Sequence, residues 1–270
     1  DYMKKQKASI KPINKVNAFL KSGWKELIKE IVFQYKVAFK DEYYPYNPYK
    51  FGPITRHKIK KLRKKNLFKE QNKNKDNFLL KDKYAFFGLH FEPERTTNPD
   101  GGRFHDQALA IISLRKFLPK DFKILVKEHP SQFYHQDRGS RGRSPLFYNF
   151  IKNIKEVSFL GSEENTRDLI NNAELVATIS GSVALEAALL KKQSIIFGDS
   201  WFNNCPNVTT WHENLNYETF SNNNIYGKKD ILDFLLKELD NYCVPGFQNI
   251  SAQKTYSEFL DDNFLNQEQK

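Results

Sequence analysis

The sequence has little cysteine, with Cys205 and Cys243 as the two among 270 residues. They do not form a Cys-x-x-Cys pair, so we expect neither a disulfide framework nor a zinc site, and a reducing compartment fits. The sequence also lacks the run of about 18 apolar residues that a membrane-spanning helix needs. No apolar segment typical of a signal peptide follows Asp1. These absences predict a cytoplasmic protein, and the initial Asp suggests a piece of a longer chain.

Acidic residues are outnumbered, since 43 Lys and Arg face 32 Asp and Glu and leave a formal net charge of +11. The 23 Phe and 13 Tyr residues argue against disorder and allow a packed core. The excess positive charge predicts an anionic partner. Nucleotide-sugars, an acidic polysaccharide, an anionic membrane face and nucleic acid all qualify at this point.

Much of this charge lies in one segment, Arg56–Lys75, where ten residues are Lys or Arg and the single acid is Glu70. One interpretation is a solvated helix and linker. Another is peripheral docking to the anionic inner face of the cell membrane. Nucleic-acid binding is disfavoured, because few aromatic residues alternate with the charges and no recognition motif is present.

The chain divides into two regions that differ in their pattern of apolar residues. In residues 1–83, apolar residues between Val16 and Val32 recur at three- and four-residue spacing, which predicts a helical, basic N-terminal extension or linker. Residues 84–270 alternate short β-branched strands with helical patterns. Strands are predicted at Tyr84–Phe91, Lys123–Glu128, Val157–Leu160, Leu175–Ile179 and Ser194–Phe197. Helices are predicted at Asp106–Phe117, Leu146–Ile154, Thr166–Asn172, Val183–Leu190, Lys229–Tyr242 and Ala252–Phe264.

This alternation is typical of an α/β domain with a Rossmann-like, doubly wound parallel sheet covered by helices on both faces. Ligands of such sheets bind outside the carboxyl ends of the strands, near the point where the strand order reverses. Candidate functional residues should therefore follow the strands directly, and three polar segments do.

The first segment is Lys-Glu-His-Pro at residues 127–130, after the apolar body of a strand. Lys127 and His129 are two residues apart, so they share a face if the segment is extended. The pair suits a nucleotide phosphate, and a histidine whose pKa an anion raises can donate at neutral pH. A strand-end turn with solvated charges is the alternative.

The second segment joins a strand to a helix through Ser180, Gly181 and Ser182, with Glu186 one turn later. Gly181 permits a tight turn, Ser182 is a candidate N-cap, and the helix start is a candidate anion site. Glu186 could accept hydrogen bonds from ribose hydroxyls. Simple capping, with an acid placed favourably near a helix start, is the alternative.

The third segment follows the first strand and holds His90, Glu92, Glu94, Arg95 and two threonines. These side chains could perform acid–base chemistry or hold an acceptor sugar, or could form a salt-bridged loop without a further function. A metal site is not otherwise indicated, because no set of ligands has the usual spacing.

The loop Ser131–Ser144 is long, polar and basic, with Arg138, Arg141 and Arg143 among glycines. It could be a flexible lid over an anionic donor, or an exposed loop without a role.

Taken together, Lys-x-His-Pro at 127–130 and the strand–Ser-Gly-Ser–helix–Glu pattern at 180–186 resemble the capsule polysaccharide biosynthesis family. That family includes bacterial β-Kdo transferases, and polysialyltransferases share its His-Pro and Ser motifs. The segment Leu-His-Phe-Glu-Pro-Glu-Arg-Thr-Thr at 89–97 is similar to the one that precedes Lys-x-His-Pro in many such proteins. The resemblance covers roughly Tyr84–Asp199.

The resemblance implies an inverting GT-B glycosyltransferase of capsular or other surface polysaccharide synthesis, whose C-terminal Rossmann-like domain binds the donor nucleotide. The implied donor is a nucleotide-activated sugar such as CMP-Kdo, the acceptor a glycan or glycolipid, and no metal or other cofactor is required. Lys127 and His129 would contact the donor phosphate. Ser180, Gly181 and Ser182 would lie beside it, and Glu186 near the ribose.

Within this chain, the candidate catalytic residues are Glu94 and His90, with Glu94 as the candidate general base. In the family, the acceptor half and usually the catalytic base belong to an N-terminal Rossmann domain, whereas residues 1–83 are too short and too helical to form one. Two alternatives therefore stay open. One is a sugar-nucleotide epimerase of GT-B architecture, and the other is a non-catalytic donor-binding or membrane-docking subunit of a polysaccharide assembly complex.

Overall fold

A computed structural model describes residues 53–76, 83–94, 96–134 and 139–242, together with helical positions at 25, 28, 29 and 32. The predicted helix at Ala252–Phe264 and most of the predicted helix between Val16 and Val32 lie outside these residues.

The centre of the fold is a sheet of six parallel strands in the order β3-β2-β1-β4-β5-β6. The strands are β1 Tyr84–Gly88, β2 Lys123–Lys127, β3 Val157–Leu160, β4 Leu175–Thr178, β5 Gln193–Ile196 and β6 Val208–Thr210. The chain adds strands outward from β1 in one direction, then returns to place β4 on its other side. This order confirms the predicted Rossmann-like α/β fold, with the reversal between β1 and β4.

Helices follow the strands along the chain. Those described are α1 Pro53–Asn74, α2 Gln107–Phe117, α3 Ser131–Tyr134, α4 Gly139–Gly142, α5 Pro145–Lys152, α6 Thr166–Asn172, α7 Val183–Leu189, α8 Tyr217–Ser221 and α9 Lys228–Tyr242. A 3₁₀ turn at Gly102–His105 precedes α2.

Successive strand residues point to opposite faces, and both faces are buried. Ala85 and Phe87 of β1 join a core cluster with residues of α2 and α5, whereas Tyr84 and Phe86 join a second cluster with residues of α6 and α7. Helices therefore cover both faces of the sheet, which explains why the strands are continuously apolar.

The basic segment forms α1, and one stripe of that helix is buried. The stripe consists of Lys64, Leu67, Gln71 and Asn74, spaced three or four residues apart. Leu67 belongs to the first core cluster, and the Phe68 and Phe133 rings meet edge to face with centroids 5.4 Å apart. The helix is thus packed on α4 and α5. The proposed domain boundary after residue 83 stays a prediction.

The first strand is shorter than predicted, because the backbone beyond its end hydrogen-bonds to a side chain and not to a neighbouring strand. β1 ends at Gly88 rather than Phe91, because the His90 amide donates to Oε1 of Gln107 (2.8 Å) and not to a strand. β6 and α8 were not predicted, since three and five residues carry too little periodicity.

Among the described residues, those up to Ile231 belong to one compact unit and those from Leu232 to a second. The described part of the second is the rest of α9, which exposes Leu232, Leu236 and Leu239. In the described part of the chain, no helix combines the length and the apolar character that spanning a membrane requires.

Candidate functional site

A cavity of about 350 Å³ lies at the carboxyl ends of β1, β2 and β4. Because these strands are neighbours in the sheet, their exit loops meet at the reversal of strand order. The cavity brings together every site residue predicted from the sequence: His90, Glu94, Lys127, His129, Ser180, Gly181, Ser182 and Glu186. The roles assigned to these residues stay predictions.

Lys127 is the last residue of β2, and its side chain is only 5% exposed. Burial lowers the pKa of the Lys127 ammonium to about 8, against the opposing attraction of Glu128, Glu163 and Glu164. Within the described ranges the ammonium has no hydrogen-bond acceptor or ion-pair partner. A desolvated positive charge thus borders the cavity without a counter-ion in contact, which is costly unless a ligand compensates it.

His129 lies beside Lys127 at the cavity, and its ring is fixed from the backbone. The Ser131 amide donates to Nδ1 of His129 (3.1 Å), so the proton of the neutral ring is assigned to Nε2. The pKa of His129 is lowered, and the main cause is desolvation of its charged form by the surrounding protein. The side chain still keeps some contact with solvent. A neutral His129 with an Nε2–H donor can therefore bind an anion at pH 7.

His90 is buried and connects two strand exits. The Ser180 amide donates to its Nε2 (3.1 Å), which places the proton of the neutral ring on Nδ1. That nitrogen lies 3.2 Å from Oγ1 of Thr96 and 3.6 Å from Oε2 of Glu94. Both ring nitrogens are thus engaged, and the ring holds the loop after β4 against the loop after β1.

Glu94 is the most accessible acid at the cavity, with 44% of its side chain exposed. Hydrogen bonding to His90 holds the pKa of the Glu94 carboxyl below its usual value. Partial burial acts in the opposite direction, and a hydrogen bond with Thr96 lowers the pKa further. Glu94 is therefore ionised at neutral pH, the state that a general base requires.

The Ser180–Gly181 turn requires glycine for space. A Cβ at Gly181 would lie 2.9 Å from Oγ1 of Thr178 and 3.1 Å from Nε2 of His90. Ser180 is held by its own hydroxyl, which donates to the Thr96 carbonyl (2.7 Å). The turn is thus packed closely on the loop after β1.

Ser182 is not the side-chain N-cap that the sequence predicts. Its backbone already has helical angles (φ −57°, ψ −16°), and its side chain accepts no capping hydrogen bond. A side-chain N-cap normally has an extended backbone, which directs the oxygen back to the free amides. The Ser182 hydroxyl instead lies 3.4 Å from Oε1 of Glu186, whose pKa is raised by burial.

Arg143, at the end of the loop for which a lid and an exposed loop were the two interpretations, is a buried residue. Its guanidinium is buried and binds Glu128, with Nε 3.2 Å from Oε2 and Nη2 3.3 Å from Oε1. Residues 135–138, including Arg138, and the Arg141 side chain lie outside the described residues. Two one-turn helices, α3 and α4, occupy most of the described loop.

Glu128 is the main residue that the sequence interpretation missed. It is fully buried, and the Tyr148 hydroxyl donates to its Oε2 (2.8 Å). Its position between Lys127 and His129 was visible in the sequence, but its partners come from α5 and the loop before it. The one feature of the sequence that could have indicated a role for Glu128 is its position between two residues predicted to bind phosphate.

The described residues contain no group of three or more His, Cys, Asp and Glu side chains arranged to hold a metal ion. The prediction that no metal is needed is not tested by this observation.

No protein-family model matches the sequence, and no curated protein sequence matches it. Solved structures give weak similarity. One is the KpsC beta Kdo 2,7 transferase of Thermosulfurimonas dismutans, with 16% identity over 60% of this chain and 51% of that chain, and a TM-score of 0.38. Another is the KpsC beta Kdo 2,4 transferase of the same organism, with 16% identity over 64% of this chain and 53% of that chain, and a TM-score of 0.39. A third is the Methanocaldococcus jannaschii UDP-GlcNAc 2-epimerase in complex with UDP-GlcNAc and UDP, with 20% identity over 66% of this chain and 50% of that chain, and a TM-score of 0.38. The chain spans about half the length of these structures, and the strand order of its own sheet defines its fold class.

Proposed function

We propose that the cavity binds the phosphate of a nucleotide-activated sugar, and that the protein is a glycosyltransferase of surface polysaccharide synthesis. The observation that carries the proposal is the desolvated ammonium of Lys127, which borders the cavity without an anionic contact among the described residues. The Nε2–H donor of His129 lies at the same cavity and would share the phosphate oxygens.

The proposed reaction is an inverting displacement. The acceptor hydroxyl attacks the anomeric carbon of the donor sugar, and the bond from that carbon to the phosphate oxygen breaks. The negative charge that develops on the leaving nucleotide would be stabilised by the buried ammonium of Lys127 and by His129, whose ring is held by the Ser131 amide. Ionised Glu94 would take the proton of the acceptor hydroxyl.

The proposed donor is a CMP-activated acidic sugar such as Kdo, with a glycan or glycolipid acceptor. The sequence resemblance supports this choice of donor. The cavity is compatible with the phosphate of this donor, because its lining carries the buried Lys127 beside the acids Glu94, Glu128 and Glu186. Counting the phosphate alone, the one charge of a phosphodiester suits one buried cation better than the two charges of a diphosphate.

The test is calorimetric titration of the chain with CMP, UDP, GDP and dTDP. We expect selective binding of one nucleotide, and Lys127→Ala and His129→Ala should each weaken it by about 1.5–3 kcal/mol, the range for hydrogen bonds to charged groups. Lys155→Ala is the matched control, because Lys155 is exposed and outside the cavity. Unchanged affinity in both site variants would show that the phosphate assignment is wrong.

Turnover separates the alternative functions. Release of nucleotide only when acceptor is supplied would identify a transferase, and conversion of UDP-GlcNAc without acceptor would identify an epimerase. Binding without turnover would identify a donor-binding subunit.

A further inference from the structure

The strand exits at the cavity are joined by buried side chains that do not themselves carry the proposed chemistry. Glu128 is the centre of this network and is fully buried. Its Oε1 accepts from the His129 amide (2.8 Å) and from Nη2 of Arg143, while Oε2 accepts from the Tyr148 hydroxyl and from Nε of Arg143. Each carboxylate oxygen therefore has two donors, which fixes the side chain in one position.

Arg143 extends the network from β2 to β1. Its Nη2 donates to the His90 carbonyl (3.0 Å), and its Nη1 lies 3.6 Å from Oε1 of Glu92. Gln107 holds the same loop from α2, because its Oε1 accepts from the His90 amide and its Nε2 donates to Glu92. Both backbone groups of His90 are thus held by buried side chains.

The connection continues to the third strand exit through the His90 ring, which accepts from the Ser180 amide. One chain of hydrogen bonds therefore runs from Glu128 through Arg143 and His90 to Ser180. It links the ends of β2, β1 and β4, the strands that form the cavity.

We propose that Glu128, held by Arg143 and Tyr148, is a positioning residue that orients the Lys127–His129 pair toward the ligand of the cavity. The inference rests on the proposed function for the identity of that ligand, a nucleotide phosphate. Geometry supports it directly, since Glu128 lies between the two residues in sequence and binds the backbone amide of one of them.

Glu128 also acts on Lys127 through charge. Its carboxylate favours the ammonium form of the neighbouring lysine, as do Glu163 and Glu164 in the loop after β3, which are paired with Lys75. Glu128 is the largest of these three attractive influences on the pKa of Lys127, and desolvation opposes all of them. Loss of the Glu128 charge should therefore leave less of Lys127 protonated near pH 8.

Two readouts on the intact chain distinguish positioning from a merely structural role. The first is nucleotide affinity by calorimetry at pH 7. The second is the pH dependence of Lys127 acetylation by acetic anhydride, followed by mass spectrometry, which reports deprotonation of the lysine without any nucleotide.

Glu128→Gln keeps the shape and one acceptor oxygen but removes the charge. We expect its acetylation midpoint to fall by roughly one pH unit and its nucleotide affinity to fall about tenfold. Tyr148→Phe keeps the charge and removes one hydrogen bond. Its affinity should fall severalfold with the midpoint unchanged, so this variant tests orientation even if Glu128→Gln does not fold.

Ile151→Val is the matched control, because Ile151 is a fully buried residue of the same helix as Tyr148 and its side chain is apolar. It should lower stability while leaving both readouts at wild-type values. The inference is overturned if Glu128→Gln and Tyr148→Phe behave like this control. A wild-type chain that binds no nucleotide, combined with a lowered midpoint in Glu128→Gln, would refute the proposed function and retain the coupling of Glu128 to Lys127.

Discussion

At the residue scale, Lys127 combines a binding role with a cost in stability. A buried ammonium without a partner opposes folding, because its pKa is about 8 in the folded chain and 10.5 for an exposed lysine. Sites that bind charged ligands commonly carry such a cost, since the compensating charge arrives with the ligand.

We therefore expect Lys127→Met to weaken nucleotide binding as Lys127→Ala does, and to raise the free energy of unfolding by about 1–3 kcal/mol at pH 7. The gain should be full below pH 8, where the folded wild type retains the buried charge. It should shrink as the pH rises toward 10.5, because the folded state releases its proton before the unfolded state does. Urea denaturation at pH 7 and pH 10 measures the difference, and a less stable Met variant at pH 7 would contradict the assignment of an unpaired charge.

The same lysine predicts the pH dependence of binding. The affinity of the wild type for its nucleotide should decline as the pH rises above about 8, because deprotonated Lys127 no longer attracts the phosphate. Calorimetry between pH 6.5 and 9.5 tests this expectation. The Lys127→Ala variant should lack the decline over that range.

Capping provides a second test at this scale. Ser182→Ala should change the free energy of unfolding by less than about 0.5 kcal/mol, because the hydroxyl accepts no capping hydrogen bond. Asp106→Ala should cost about 1 kcal/mol, because Asp106 accepts from the Ala108 amide (3.0 Å) at the start of α2. Thermal and urea denaturation of both variants measure the contrast. Equal losses would indicate that Ser182 acts as a cap after all.

At the element scale, α1 shows how a basic segment is integrated into the fold. Its exposed basic residues surround a buried stripe that itself contains Lys64, and the segment after the helix is tied to the sheet edge. There the Asp76 amide donates to the Phe159 carbonyl (2.8 Å), and the Asp76 carboxylate accepts from the Phe159 amide (2.9 Å). The long aliphatic stems of the exposed lysines allow the helix to pack while their charges stay in water.

Leu67→Ala should therefore destabilise the sheet domain by about 2–5 kcal/mol, the range for emptying a buried leucine position. Leu67 is 1% exposed, whereas Leu62 on the same helix is 58% exposed and supplies the control. Leu62→Ala should stay within about 0.5 kcal/mol of wild type. Similar urea midpoints for the two variants would show that α1 does not contribute to the core.

At the scale of the whole molecule, the net charge of +11 is concentrated in part on the outer face of α1. Lys61, Lys65 and Lys69 are exposed there, on a helix whose opposite face is buried. We propose that this face associates with anionic lipid, since each basic residue near such a surface contributes about 1 kcal/mol.

We expect the chain to sediment with vesicles that contain phosphatidylserine and not with phosphatidylcholine alone, and salt should weaken the association. Replacing Lys61, Lys65 and Lys69 with Gln should reduce it strongly. The matched control removes the same charge at Lys120, Lys155 and Lys228, which are also exposed. Equal losses in the two triple variants would indicate a response to net charge and no defined surface.

The sequence by itself determined the fold class and the edge of the sheet where the candidate residues meet. Both depend on local patterns, because apolar runs predict buried parallel strands and the polar residues directly after them must lie at the carboxyl edge. The strand Val157–Leu160 and the helix Thr166–Asn172 have the predicted bounds for this reason.

The tertiary structure alone decided how these residues are bonded. The His90 ring is bound by an amide 90 positions later, and Arg143 binds a carbonyl 53 positions earlier. Contacts over such separations depend on the packing of whole elements, which local periodicity does not record. The same packing buries Arg143, which belongs to a loop that the sequence left open as a lid or an exposed segment, and places Lys127 at the border of the cavity.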